Sequence, residues 1–165
     1  IMRDNMKFRK YKKEDLKQMR RMWNVIIEDG VAFPGLELLE EDVFNKMMSE
    51  QDAVNCMIID HQVVGYYILH PNNIGRCSHV ANEYYVLDKS VRGKHLGKYL
   101  VEHSIKTAKE LNFRGMQFNA VVESNKPALH IYKSLGFKEV GMIPGGFMLK
   151  DGNYSNMYIL YLSLL

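Results

Sequence analysis

Cysteine is scarce in this chain. Only Cys56 and Cys77 occur among its 165 residues, too few for a disulfide framework. Cys56 lies in a strand-like apolar run, where a buried free thiol is expected. The histidines (His61, His70, His79, His95, His103 and His130) are scattered, and none has the paired spacing of a zinc site; no metal is expected. No apolar run approaches the length of a membrane span, and no signal peptide is visible. The expectation is a soluble, cytoplasmic protein that contacts no membrane. Basic blocks are short as well. The run Arg9-Lys10-Tyr11-Lys12-Lys13 reads as a solvated strand end and turn, and a formal charge of +3 allows an anionic ligand without calling for nucleic acid. Repeats, low-complexity tracts and linkers are missing. Ile1, ahead of Met2, is expected to be an added residue.

What is present is ordinary globular composition, 47% hydrophobic and 25% charged, in a length that suits one domain over residues 1–165. Strand-like segments are expected at Met6–Tyr11, Val54–Ile59, Val63–Leu69, Val80–Leu87, Arg114–Val122, Phe137–Met142 and Met157–Leu164. Asp60-His61-Gln62 reads as a hairpin turn. Helical spacing of Leu16, Met19, Met22, Trp23 and Ile26 predicts a helix from Lys13 to Asp29, and a shorter one is expected from Leu39 to Met48. A third helix carries Gly97, Leu100, Val101, Ser104, Ile105, Ala108 and Leu111 on one face. The fourth runs from about Lys126 to Leu135, capped by Ser124-Asn125, with Pro127 in its first turn and Gly136 at its exit. This order predicts an α/β fold, a mixed sheet covered by helices.

The segment from Tyr84 to Leu100 carries the most information. An apolar strand ends in the turn Arg92-Gly93-Lys94-His95-Leu96-Gly97, which opens directly into a helix. N–H groups at a helix start lack intrahelical partners, and the helix dipole favours negative charge there, so the turn is expected to cradle a phosphate. Nucleotide-binding loops fail on spacing. A Walker A sequence needs four residues between its glycines and a Lys-Ser/Thr pair; Gly93 and Gly97 are three apart in their intervening count, and Tyr99 follows Lys98. The dinucleotide pattern G-x-G-x-x-G is absent.

A second segment, Asn125 to Phe137 (NKPALHIYKSLGF), places Asn125, Ala128, Tyr132, Gly136 and Phe137 at fixed offsets. Together the two segments resemble the GNAT superfamily of N-acetyltransferases, whose motifs read R/Q-x-x-G-x-G/A and, further on, N-x-x-A-x-x-x-Y-x-x-x-G-F. The resemblance implies a mostly antiparallel, twisted sheet flanked by helices, and an acetyl-coenzyme A site. In such proteins the turn, here Arg92 to Lys98, holds the pyrophosphate through backbone amides. The preceding strand, here Tyr85, Val86 and Leu87, serves the pantetheine arm and polarises the thioester carbonyl. Asn125 lies at the same site, and Tyr132 matches the tyrosine that protonates the departing thiolate. Phenol and thiol pKa values lie within about two units of each other, which suits that transfer. His95 departs from the motif, which has glycine there.

On the acceptor side, Asn82 and Asn119 stand out because asparagine is depleted in strands. Alternation sets Asn119 with Gln117 and Val121 on one face, and Met116, Phe118 and Ala120 on the other. The sequence SHVANEYYVL followed by FNAVVESN resembles a subgroup typified by fungal acetyltransferases of proline analogues, which implies that Asn82 and Asn119 contact substrate. Glu83 is a candidate general base, or else a salt-bridged rim residue. A water chain ordered by the asparagines or by His79 serves equally. Glu28 to Leu39 is expected to cover the acceptor, with Glu28 and Asp29 attracting a cationic amine and Phe33-Pro34 as a lid; the segment Pro144-Gly145-Gly146-Phe147, read as a loop, is a second candidate wall. The resemblance thus implies an acyltransferase that transfers acetyl from acetyl-CoA to a small-molecule amine by direct attack. No cysteine matches a covalent route. The alternatives are a protein or peptide N-acetyltransferase and a non-catalytic coenzyme A-binding regulator. The Asn pair and the lack of a docking extension favour a small amine. A homodimer paired through the final strands is compatible with the sequence.

Overall fold

The computed structural model describes residues 5–165; Ile1 to Asp4 lie outside them. In chain order the elements are β1 (Met6–Lys10), α1 (Leu16–Asp29), α2 (Glu41–Ser49), β2 (Ala53–Ile59), β3 (Gln62–Pro71), β4 (Val80–Leu87), α3 (Gly97–Glu110), β5 (Gly115–Val122), α4 (Lys126–Ser134), β6 (Lys138–Met148) and β7 (Tyr154–Ser163). The strands form one sheet in the order β1-β2-β3-β4-β5-β7-β6. Every pairing is antiparallel except β4 with β5. This is the expected α/β architecture.

Alternation along the strands divides the core in two. On one face Val54, Cys56, Tyr66, Ile68 and Val86 pack against Met19, Trp23 and Ile26 of α1 and Phe44 and Met48 of α2. On the other, Tyr67, Leu69, Ala81, Met116 and Leu160 pack against Leu100, Val101 and Ala108 of α3 and Leu129 of α4. Cys56 is fully buried and reduced, and burial pushes its thiol up to about 12, which leaves it inert.

Several boundaries differ from expectation for local reasons. Lys13–Asp15 is a 3₁₀ turn before α1. Asp15 accepts two hydrogen bonds from Arg9, at 2.7 and 3.1 Å, and one from the Lys12 N–H at 2.7 Å. The basic run is therefore tied down at Arg9 rather than wholly solvated. Asp60 and His61, both with positive φ, make a two-residue hairpin turn between Ile59 and Gln62, as right-handed strand twist favours. Asn125 does not cap α4 through its side chain; only its carbonyl accepts, from the Leu129 N–H at 3.2 Å. Gly136 does close that helix. It is left-handed (φ 96), and the N–H groups of Gly136 and Phe137 donate to the carbonyls of Lys133 and Tyr132, a Schellman arrangement. Pro144 to Phe147 is not a loop. It lies within β6, where an irregular register between Ile143 and Phe147 absorbs the proline and glycines.

The feature that makes a site is the parting of two central strands. β4 and β5 each run eight residues, yet they pair only at Val80–Gly115 and Ala81–Met116. Beyond that point they diverge. β5 also bulges between Phe118 and Val121. The extra residue reverses the alternation there, so Val121 joins Phe118 in the α3 core instead of sharing a face with Asn119.

Candidate active site

Divergence of β4 from β5 opens a cavity of about 310 Å³, at the lower end of ligand-pocket sizes. Its walls come from both sides of the sheet. β4 contributes Asn82 to Tyr85 and Leu87; β5 contributes Phe118 to Val122. Gly97, Leu100 and Val101 of α3 and Ala128, Ile131 and Tyr132 of α4 close one side. Ala32, Phe33 and Pro34, after α1, close the other, and Asn125 also lines the space. Val86 lies outside this lining, with its side chain in the α1 core, as do Pro144 to Phe147, so the second candidate wall is not one. Strand alternation sorts the β4 residues: Tyr84 packs into the α1–α2 core, and Tyr85 into the α3–α4 core.

The glycine-bearing turn leads into this cavity at Gly97. Gly93 and His95 are left-handed (φ 79 and 61), while Leu96 is right-handed. Such alternation gathers successive N–H groups into an anion-binding concavity. Among the described residues, the N–H groups of Gly93, Lys94 and His95 donate to no carbonyl. His95 holds the conformation that explains glycine in the motif, and its side chain is exposed. Lys94 and Lys98 are both exposed, Lys98 pairing with Glu102 at 4.0 Å. Arg92 turns the other way. Its guanidinium donates to Asp29 at 3.0 Å and to the Leu87 carbonyl at 3.4 Å, and Lys89 reaches the same aspartate at 3.7 Å. Asp29 is thereby engaged by two cations, which corrects its expected role in attracting an amine.

On the α3–α4 side, Tyr132 packs against Phe118 (ring centroids 4.6 Å), Phe137 (5.8 Å) and Tyr85 (6.1 Å). Burial, with a further contribution from Glu83, pushes its phenol up. The near match with a thiol in water therefore does not hold inside the protein. A thiolate in the same apolar space would be raised in the same direction, so the proton's destination shifts with its source. Tyr85 shares a hydrogen bond with Ser104 at 2.7 Å. Glu83 is 6% exposed, and neither carboxyl oxygen has a partner. It makes no ion pair, so the rim salt bridge is excluded. Burial holds its carboxyl well above the usual carboxylate range, which favours the neutral acid.

The α1 side differs in chemistry. Phe33 and Tyr84 line the cavity there and pack on Trp23 in the core behind them, with centroids 4.7 to 5.3 Å apart. Amides supply the polarity. Asn82 donates to the Gln117 carbonyl at 2.8 Å across the parting strands. Asn119 accepts from Gln117 at 2.9 Å and donates to Asn72 at 2.6 Å. Tyr84 in the lining, and Asn72, which holds Asn119, were not assigned to the site from sequence. Glu83 is the one ionisable carboxyl in the lining, and β4 alternation turns it away from Asn82. His79 is not part of the lining.

This architecture agrees with what known proteins show. The Acetyltransferase (GNAT) family model matches residues 17–137, and the chain belongs to that family of acyltransferases. It is 30% identical over 98 residues to the N-acetyltransferase aca1 of Schizosaccharomyces pombe, an alignment covering 59% of this chain and 47% of that protein. The chain spans about half the length or less of the relatives it matches in sequence. Its fold is that of a GCN5-related N-acetyltransferase from Kribbella flavida, with TM-score 0.91, 24% identity, and 98% and 99% of the two chains covered. It is also that of a phosphinothricin acetyltransferase from Sinorhizobium meliloti solved with AcCoA, with TM-score 0.89, 17% identity, and 96% and 88% covered.

Proposed function

We propose that this chain is an acetyl-CoA-dependent N-acetyltransferase whose acceptor is a small-molecule amine, of the amino-acid or secondary-amine type. The observation that carries the reading is the single cavity through the parted strands, which joins an anion-cradling turn to an uncharged, amide-and-aromatic pocket. A phosphinothricin acetyltransferase among the structural neighbours, and the resemblance to proline-analogue acetyltransferases, support the acceptor class.

The residues present suit acetyl-CoA. The backbone of Arg92 to Lys98 would hold its pyrophosphate, Leu96 and Gly97 starting the helix whose dipole faces it. The free edge of Tyr85, Val86 and Leu87 would pair with the arm, since β5 no longer does. When bound, acetyl-CoA supplies the activated acetyl thioester. Asn82, Asn119 and Phe33 orient the acceptor, and Asn125 closes the junction of the two halves. Tyr132 keeps a proton at Oη for the sulfur. Loss of a proton from the amine falls to water held by the amides, because Glu83 faces the other half.

Thiol release from acetyl-CoA tests this across a panel of apolar amino acids, cyclic secondary amines, polyamines and peptides. Turnover with the first two classes is expected. Tight acetyl-CoA binding with no release to any small amine would refute the reading, and release to peptides alone would move it to protein acetylation.

A further inference from the structure

Glu83 is the residue whose surroundings make least sense in the empty fold. Its carboxyl oxygens are the buried side-chain polar atoms left without a partner among the described residues. Such a group costs stability, because water has been removed and nothing has replaced it. Its neighbours are settled ones: Tyr85 has Ser104, and Asn82 has the Gln117 carbonyl. Glu83 opens only on the cavity, on the face where Tyr85 and Tyr132 pack.

We propose that Glu83 is a further positioning residue for the acyl donor, its carboxyl hydrogen-bonding the amide-bearing pantetheine arm as that arm threads between β4 and β5. The inference rests on the acetyl-CoA reading above. Three observations converge on it. The face is that of Tyr132, not that of Asn82 and the aromatic wall, so the partner is the donor's arm and not the acceptor. Apart from Glu83 and the phenols of Tyr85 and Tyr132, this face of the lining is apolar, as Leu100, Val101, Phe118 and Ile131 show, so one hydrogen bond there is little diluted by water. A neutral carboxyl offers both an O–H donor and acceptor oxygens, which suits an arm built of amides.

Calorimetric titration with coenzyme A, and separately with its adenosine nucleotide half that lacks the arm, tests this on wild type, Glu83→Gln and Glu83→Leu. The expected result is a loss of roughly tenfold or more in coenzyme A affinity for Glu83→Leu, the scale of one buried hydrogen bond, with the nucleotide half bound as by wild type. Glu83→Gln, which keeps a donor and an acceptor, should stay within a few fold of wild type. Equal coenzyme A affinity in wild type and Glu83→Leu overturns this inference alone. Equal losses for both probes also overturn it, since the change then acts on the cradle. Failure of the wild type to bind coenzyme A overturns the acetyl-CoA reading and this inference with it.

Discussion

Replacing Glu83 by glutamine should make the fold's stability depend less on pH, and the sign follows from burial. The carboxyl is raised well above its ordinary value of 4.5 by desolvation alone. Between that value and the folded one, the native state keeps a proton that the unfolded chain has released. Native protein then binds more protons than unfolded protein, so stability falls as pH rises. The contribution is fully present below about pH 4.5 and is lost progressively up to the folded pKa. Its slope is about 1.4 kcal/mol per pH unit. Across that window wild type therefore loses stability that Glu83→Gln does not lose. In a chain of this length each pH unit within the window widens the Tm gap by roughly 3–6 °C. Other groups titrate nearby, including His70 and His103, both lowered by burial, but they act on both proteins and cancel in the difference. Thermal unfolding of the pair at about pH 5, 6 and 7 reads the effect. A gap that stays constant would show that Glu83 is solvated or charged in the fold, and would refute the reasoning.

Tyr132→Phe keeps the ring contacts with Phe118 and Phe137, so unfolding should be unaffected while kcat falls by roughly 10²-fold or more; an unchanged kcat in thiol-release assays removes Tyr132 from the reaction. Asn119→Ala should raise KM for the amine and leave that for acetyl-CoA within error, because its amide contacts lie on the acceptor side. Gly65→Ala would bring its Cβ to 2.8 Å from the Val86 carbonyl oxygen and 3.0 Å from Leu87 Cδ1; pushing β4 aside should cost about 1–3 kcal/mol in urea unfolding and lower kcat as well. His95→Gly relieves a left-handed histidine (φ 61) and should raise stability by about 0.5–1 kcal/mol, with coenzyme A affinity little changed if the cradle acts through its backbone.

Much of the fold was legible because its signals are local. Strand-length apolar runs marked β2, β3 and β4, and the 3.6-residue spacing marked α1. Gly136 marked the end of α4 because only a left-handed residue closes a Schellman turn cheaply. The misreadings share a cause: the winning interaction was not local. Pro144 and two glycines argued for a loop, yet β7 holds that segment in the sheet and an edge position tolerates the proline. Asn125 matches the profile of a helix cap, but its side chain caps nothing. Alternation placed Val121 with Asn119 because a bulge of one residue leaves no mark in composition.

The site was legible as two lists of residues but not as one space. Asn82 and Glu83 are neighbours in sequence and point to opposite faces, and in an intact sheet they would never meet the same ligand. They line one cavity only because β4 and β5 stop pairing after Ala81 and Met116. The gap creates the two needs of a group-transfer site at once. It leaves the end of β4 with an edge that β5 does not pair, of the kind that takes up an extended arm through its backbone, and it connects two faces so that, on the proposed reading, a donor from one side and an acceptor from the other would reach the same point. It also explains the division of polarity. The amides of Asn82 and Asn119 are held by hydrogen bonds to β5 and Asn72, on the side that the proposed reading gives to the acceptor, where water would carry off a proton. The carboxyl of Glu83 is kept dry on the other face, where a negative charge would raise the Tyr132 phenol further, so on the proposed reading the neutral acid suits a phenol that gives its proton to a thiolate.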